Sequence, residues 1–218
     1  KVELKDERTV VAQAGISLSK LAAFLAEQEL TGFEFAFGIP GTLGGAAVMN
    51  AGAYGSEMKN CVDSVFVLNT KTMESFEMSK QELQYSYRHS RLQDDAYVVL
   101  TVTLSFQKGK KEDILAFMGE LNQKRRKKQP LEYPSAGSTF KRPEGHFAGK
   151  LISDAGMRGY RIGDAQVSEK HCGFVINRGK ATGNEVLQVI RDVQKAVKAN
   201  SGIDLVPEVR IIEGCDGS

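Results

Sequence analysis

Apolar and polar positions recur regularly enough along the chain to assign most of its elements. Thr9 to Ala14, TVVAQA, reads as a short strand. Gly15 follows, and Ser17 is a candidate N-cap. Leu18, Leu21, Ala22 and Leu25 then fall at i, i+3, i+4 and i+7, which marks one apolar face of a helix. Gly32 lies beyond its end. Val62 to Asn69 is a second strand, Thr70 to Met73 turns the chain, and Glu74 to Met78 pairs back. Gln81 to Tyr85 is expected to form a helical turn. Tyr97 to Phe106 predicts the longest strand. Its alternation puts Val98, Leu100, Val102, Leu104 and Phe106 on one face and Val99, Thr101, Thr103 and Ser105 on the other.

Gly109 to Lys111 interrupts this pattern, and a domain boundary is expected there. Ile114, Leu115, Phe117, Met118 and Leu121 predict an amphipathic helix stopped by Pro130. Ser135 to Pro143 reads as a loop. Ala148 to Ala155 reads as a helix ended by Gly156, and Gly159 and Gly163 punctuate an irregular segment. Cys172 to Asn177 reads as a strand. Thr182 and Glu185 have the spacing of a capping box. They open a helix with Val186, Val189, Ile190, Val193 and Val197 on one face, and Gly202 ends it. Val206 to Ile212 is expected to be a last strand. Strands in runs, with few helices, favour an α+β fold over a doubly wound parallel sheet.

Charge adds exclusions. A net charge of +2 on 218 residues gives no broad electrostatic case for nucleic acid. The cationic run Lys124 to Lys128 closes a predicted helix, where cations oppose the macrodipole. The chain lacks an apolar run long enough to cross a membrane, and its start has no secretory leader. Cys61, Cys172 and Cys215 are scattered and odd in number, which suits reduced thiols in a cytoplasmic protein. The three histidines are far apart as well, so no metal site is expected.

One stretch stands apart, Gly38 to Ser56, with six glycines in nineteen residues and almost no charge. Such a run lets backbone N–H groups approach an anion closely, usually a phosphate. It fits neither the P-loop nor the dinucleotide fingerprint. A tight glycine-packed corner between strands explains it equally well.

The segment GIPGTLGGAAVMNAGAYG resembles the flavin-contacting segment of the UDP-N-acetylenolpyruvoylglucosamine reductases, the MurB family. Tyr87-Arg88-His89-Ser90, Ser135 to Pro143 and Pro207-Glu208-Val209-Arg210 are similar to further motifs of that family and occur in its order. The resemblance covers essentially the whole chain. It implies the C-terminal portion of a PCMH-type FAD-binding domain over residues 1–108 and a smaller α+β substrate domain over 109–206. A returning strand and tail over 207–218 would bring Glu208 near the flavin. It also implies a preceding subdomain whose Gly/Ser/Asn loop grips the flavin pyrophosphate, and nothing here matches that loop. With no long insertion between Arg88 and Tyr97, the chain resembles the family's shorter branch, which lacks a mobile tyrosine loop.

The implied activity is reduction of UDP-N-acetylglucosamine enolpyruvate to UDP-N-acetylmuramate in peptidoglycan synthesis, with FAD and NADPH, by a cytoplasmic protein expected to be a monomer. The resemblance assigns Gly38, Ile39, Pro40, Gly41, Thr42, Gly44, Gly45, Asn50, Gly52, Ala53 and Tyr54 to the cofactor. It assigns Arg88 to the substrate carboxylate, Ser138 to proton donation and Glu208 to support of the enolic form. Lys128, Arg142 and His171 are implied substrate contacts, Arg142 at a position that is asparagine in some members. The residues alone leave humbler readings open: a solvated Arg88, a turn serine beside Gly137, a strand glutamate, a structural His171. Two other functions also stay open. One is a different flavin oxidoreductase of the same fold. The other is a fragment that binds nucleotide-sugar without catalysis.

Overall fold

The computed structural model describes residues 1–94 and 96–212. Cys215 and the rest of the expected tail lie outside the described residues. The chain divides into two compact units, Lys1–Lys124 and Arg125–Ser218. The sequence puts the boundary at Gly109, before the helix; the division falls within it.

The first unit begins with β1 (Val2–Leu4), β2 (Thr9–Gln13), α1 (Leu18–Glu27) and β3 (Leu30–Thr31), followed by α2 (Leu43–Met49), β4 (Gly52–Ala53) and β5 (Ser56–Glu57). It continues with β6 (Val62–Asn69), β7 (Ser75–Ser79), β8 (Tyr97–Ser105), β9 (Gln107–Lys108) and α3 (Lys111–Lys128), the helix in which the division lies. An antiparallel sheet runs in the order β1-β2-β8-β6-β7. Helix α1 buries Leu18, Leu21, Ala22 and Leu25 in the same core as Val10, Val65, Val102 and Leu104 of the sheet. Full burial of each leucine contributes roughly 1.5–3 kcal/mol. Ser17 caps α1 as expected, its side chain accepting from the Lys20 N–H.

Two expectations need correction here. The β8 alternation breaks. Val102 and Leu104 are fully buried, whereas Val98 and Leu100 are 47% and 38% exposed. Phe66 pairs with Thr101 and Val67 with Val99, so Leu100 is an extra residue, a β-bulge that reverses the facing of everything before it. Gln81 to Gln84 forms a single hydrogen-bonded turn as expected, with Leu83 N–H donating to Ser79 O at 3.1 Å and Gln84 N–H to Gln81 O at 3.3 Å. In α3, Ile114, Met118 and Leu121 are buried, but Leu115 and Phe117 are exposed, so the apolar face is narrower than the sequence suggests.

The second unit contains β10 (Ser135–Ser138), α4 (Ala148–Asp154), β11 (Arg161–Ile162), β12 (Ala165–Val167), β13 (Phe174–Asn177) and α5 (Gly183–Ser201). Its antiparallel sheet runs β10-β13-β12-β11. Val189, Ile190, Val193 and Val197 of α5 share a core with Leu151 and Ile152 of α4 and with Ala165, Val167 and Val175 of the sheet. The Thr182–Glu185 capping box forms in full, and Gly202 closes α5 at φ 73°.

The sequence misses two features of this unit. Residues 161–167 form a hairpin around Gly163 rather than an irregular segment. Ser135 to Ser138 is an edge strand rather than loop. The expected last strand is absent in turn. Residues 206–208 instead make a single bridge, Phe140 to Pro207, flanked by Lys141 N–H to Val206 O at 2.8 Å and Glu208 N–H to Thr139 O at 2.8 Å.

Candidate functional site

The glycine run folds as a short helix between two tight connections. Its glycines separate into two kinds. A Cβ on Gly44 would stand 2.8 Å from that of Ala14, and one on Gly52 would stand 2.6 Å from Glu57 Cβ, so these two allow close packing within the chain. Gly41 and Gly55 face open space, and Gly45 meets nothing nearer than Thr42 Oγ1 at 3.6 Å; all three are exposed. The first amides of α2 are spent internally. Leu43 donates to Ile16 O, Gly44 to Ala14 O, Gly45 to Thr42 Oγ1 and Ala46 to Thr42 O. The first turn of α2 therefore has no free N–H groups to offer a phosphate. The run presents a strip of exposed backbone at Pro40, Gly41, Thr42 and Gly45, with Ile39 packed beneath on the core.

Asn50 is fully buried and ends α2 in the left-handed region at φ 43°. Its Nδ2 donates to Glu57 Oε2 at 3.0 Å and Ser86 O at 2.8 Å, and its Oδ1 accepts from Lys59 N–H at 2.9 Å. This amide holds chain segments together. Tyr54 and Gly55 have φ 54° and 85° and make the two-residue turn between β4 and β5. Both values suit a type I′ hairpin, which usually takes Asn-Gly. The Tyr54 hydroxyl donates to Leu121 O at 3.2 Å on α3.

Arg88 sits on a second hairpin turn. Ser86 and His89 exchange backbone hydrogen bonds at 3.0 and 3.2 Å around Tyr87-Arg88. Arg88 has φ 55°, a conformation that an arginine takes only at a cost of order 1–3 kcal/mol. Its Nη2 donates to Gly52 O at 2.8 Å and its Nη1 to Asn50 O at 3.4 Å. The guanidinium is thus fastened to the carbonyls of the glycine run. Behind it, Ser90 Oγ and Gln93 Nε2 both donate to Val48 O, at 2.7 and 2.8 Å, and Gln93 also donates to Arg88 O at 3.2 Å.

In the second unit, Ser135 pairs with Ile176 and Ser138 with Phe174, which leaves one extra residue on β10. Gly137, at φ 85°, absorbs that bulge and turns Ser138 outward. Ser138 Oγ donates to Phe140 O at 3.3 Å. Because Glu208 N–H binds Thr139 O and Thr139 N–H binds Gly173 O, Glu208, Ser138 and the His171–Phe174 turn are neighbours. Burial pushes the His171 imidazole below its ordinary pKa, and the Lys128 ammonium acts the same way, against a hydrogen bond to its own backbone. Arg142 stacks on the Phe147 ring at 4.0 Å and its Nε donates to His146 O. Lys170, which the sequence did not single out, donates to Arg126 O at 2.9 Å near the end of α3. Among the described residues no group of three His, Cys, Asp or Glu side chains could hold a metal, and no helix is long and apolar enough to cross a membrane.

Comparison with known proteins finds two family matches. Residues 1–72 match the FAD binding domain, and residues 129–212 match the C-terminal domain of UDP-N-acetylenolpyruvoylglucosamine reductase. Curated proteins called UDP-N-acetylenolpyruvoylglucosamine reductase are 60% identical in Lachnoclostridium phytofermentans, 56% in Caldanaerobacter subterraneus subsp. tengcongensis and 48% in Clostridium kluyveri. They cover 93%, 93% and 97% of this chain. The chain spans 65%, 67% and 69% of their lengths, about two thirds. The crystal structure of the reductase from Thermus caldophilus superimposes with a TM-score of 0.82 at 33% identity, covering 95% of this chain and 73% of that one. With both its flavin-domain and its C-terminal-domain sequence matched, and with relatives this close over nearly all of its length, the chain belongs to the UDP-N-acetylenolpyruvoylglucosamine reductase (MurB) family.

Proposed function

We propose that this chain acts in the FAD-dependent, NADPH-driven reduction of UDP-N-acetylglucosamine enolpyruvate to UDP-N-acetylmuramate in peptidoglycan synthesis. The observation that carries this reading is the bonding of Arg88 to the carbonyls of Asn50 and Gly52. It joins a carboxylate-binding group to the same segment that offers the open strip at Pro40 to Gly45. FAD, when bound, supplies the hydride. Arg88 is assigned to the substrate carboxylate, which a planar guanidinium can hold with two parallel hydrogen bonds. Held there, it also opposes the negative charge that develops beside the carboxylate when the terminal vinyl carbon is reduced.

Ser138 is assigned to deliver the proton to the carbon bearing the carboxylate, and Glu208, bonded to the same loop, to support that step. Lys128, Arg142 and His171 are assigned to the nucleotide-sugar. Gly44, Gly52 and Asn50 are assigned to the cofactor segment, which their packing and hydrogen bonds shape.

The test is a titration of the 218-residue chain with FAD, followed by anaerobic NADPH and then substrate. Saturable binding, bleaching and return of the oxidised spectrum are expected. Ser138→Ala should bind and bleach normally but recover its colour about 10²–10⁴-fold more slowly. Recovery at the normal rate removes Ser138 from the proton transfer, and absence of FAD binding removes the strip as a self-sufficient cofactor site. A second reading, nucleotide-sugar binding without catalysis, is favoured by one observation: Ser138, Arg142, His171 and Glu208 all belong to a unit with its own core. Calorimetry with UDP-N-acetylglucosamine in the absence of FAD distinguishes it.

A further inference from the structure

We infer that Gly149 and Gly173 form a clasp that fixes His171 as a neutral imidazole with its proton on Nε2, giving the second unit a permanent, directional N–H donor beside Ser138 for an oxygen of the nucleotide-sugar. Only the identity of the ligand rests on the function proposed above.

The clasp is steric. A Cβ on Gly149 would stand 3.2 Å from His171 Cε1, and one on Gly173 would stand 3.0 Å from Cε1 and 3.1 Å from Nδ1. These distances are shorter than ordinary carbon contacts, so the ring occupies the space that two side chains would take. The backbone around the ring is pinned too. His171 N–H donates to Ser168 Oγ at 3.3 Å, and Phe174 N–H donates to His171 O at 3.0 Å. The Phe174 ring meets the imidazole at 5.0 Å and 75°.

The tautomer follows from one hydrogen bond. Gly173 N–H points at His171 Nδ1 at 3.1 Å, so Nδ1 must present a lone pair. The single proton of a neutral ring then sits on Nε2. An imidazolium would set two N–H groups against each other at Nδ1. Burial lowers the His171 pKa and so favours a neutral ring, whichever nitrogen carries the proton. Ser138 Oγ lies 3.8 Å from the same Gly173 Cβ position, so hydroxyl and imidazole flank one gap. Charge and direction are therefore divided. Lys128 brings the positive charge that a diphosphate needs, and His171 brings an oriented neutral donor. Gly149 and Gly173 are positioning residues for it.

The experiment is nitrogen NMR of the chain labelled at histidine, with the His171 signal identified by its loss in His171→Gln. A neutral ring protonated on Nε2 through the neutral range is expected. A proton on Nδ1, or a mixture of both tautomers, overturns the clasp whatever the ligand is. Addition of UDP-N-acetylglucosamine should then move the Nε2 signal and keep the tautomer. If other signals of the unit move and Nε2 does not, His171 is no ligand contact and that half of the inference fails. If no signal moves, the nucleotide-sugar reading of the site fails instead.

Two substitutions separate direction from structure. Glutamine places an amide N–H near the Nε2 position, whereas asparagine places it near Nδ1. His171→Gln should keep UDP-N-acetylglucosamine affinity, and His171→Asn should lose roughly 3- to 10-fold. Equal losses overturn the donor role. Gly173→Ala should scramble the tautomer, and the glutamine–asparagine pair decides the donor role even if that variant fails to fold.

Discussion

Asn50 spends both amide hydrogens and its carbonyl on three other segments, ending at Glu57, Lys59 and Ser86, while its own carbonyl accepts from Arg88. Asn50→Ala removes three part-buried hydrogen bonds and leaves the Lys59 N–H and Ser86 O without their partner. A loss of roughly 2–4 kcal/mol is expected in urea unfolding. A loss below 1 kcal/mol (about one hydrogen bond) would mean the network re-forms without the amide. His171 makes a second prediction, with a definite sign. Its pKa in the folded chain lies below the ordinary value near 6.5. Between those two values the unfolded chain binds more protons, so stability falls as pH drops through that window. His171→Gln should therefore flatten the decline in urea midpoint as pH falls below the ordinary histidine pKa of about 6.5, and an unchanged decline would show that other groups cause it. The candidate site residues were legible in the motifs as candidates. Their conformations were not, because nothing in the letters of Tyr54 or Arg88 announces a left-handed residue, and turns at such positions normally advertise themselves with glycine or asparagine.

Strand β8 shows what periodicity can and cannot give. By strict alternation Leu100 and Leu104 share a face, yet one is 38% exposed and the other fully buried. The bulge at Leu100 is set by pairing with β6 on one side and by Ala14 N–H donating to Leu100 O at 2.9 Å on the other. A local pattern does not contain those partners. Leu104→Ala should cost about 2–5 kcal/mol, and Leu100→Ala less than about 1 kcal/mol. Comparable losses in denaturant unfolding would refute the bulge. The same limit explains the edge strand at Ser135 to Ser138, whose sequence reads as turn until β13 supplies a partner, and the missing strand at Val206 to Ile212, which finds only one bridge. Helices fared better. The capping box at Thr182, the cap at Ser17 and the closing Gly202 are local chemistry, so α1 and α5 begin and end close to where their residues say.

At the scale of the whole molecule, the α+β class was legible because it depends on the order of strand-like and helix-like patterns, not on their partners. The division was less so. A glycine-marked break at Gly109 is a local feature of the sequence, whereas the boundary within α3 depends on which parts of the backbone come close together once folded. Those cores have separate memberships. Val10, Val65, Val102 and Leu104 belong to one, and Ile152, Val167, Val189 and Val193 to the other. If each core stabilises its own unit, a cavity in one should be felt by that unit alone, since distant sites usually add within about 0.3–0.5 kcal/mol. Leu104→Ala should lower the hydrogen-exchange protection of amides in β2, β6 and β8 by about 2–5 kcal/mol and leave those of β12, β13 and α5 unchanged. Ile152→Ala should do the reverse. If either variant weakens both sets equally, the two cores open in one cooperative step and neither stabilises its unit alone.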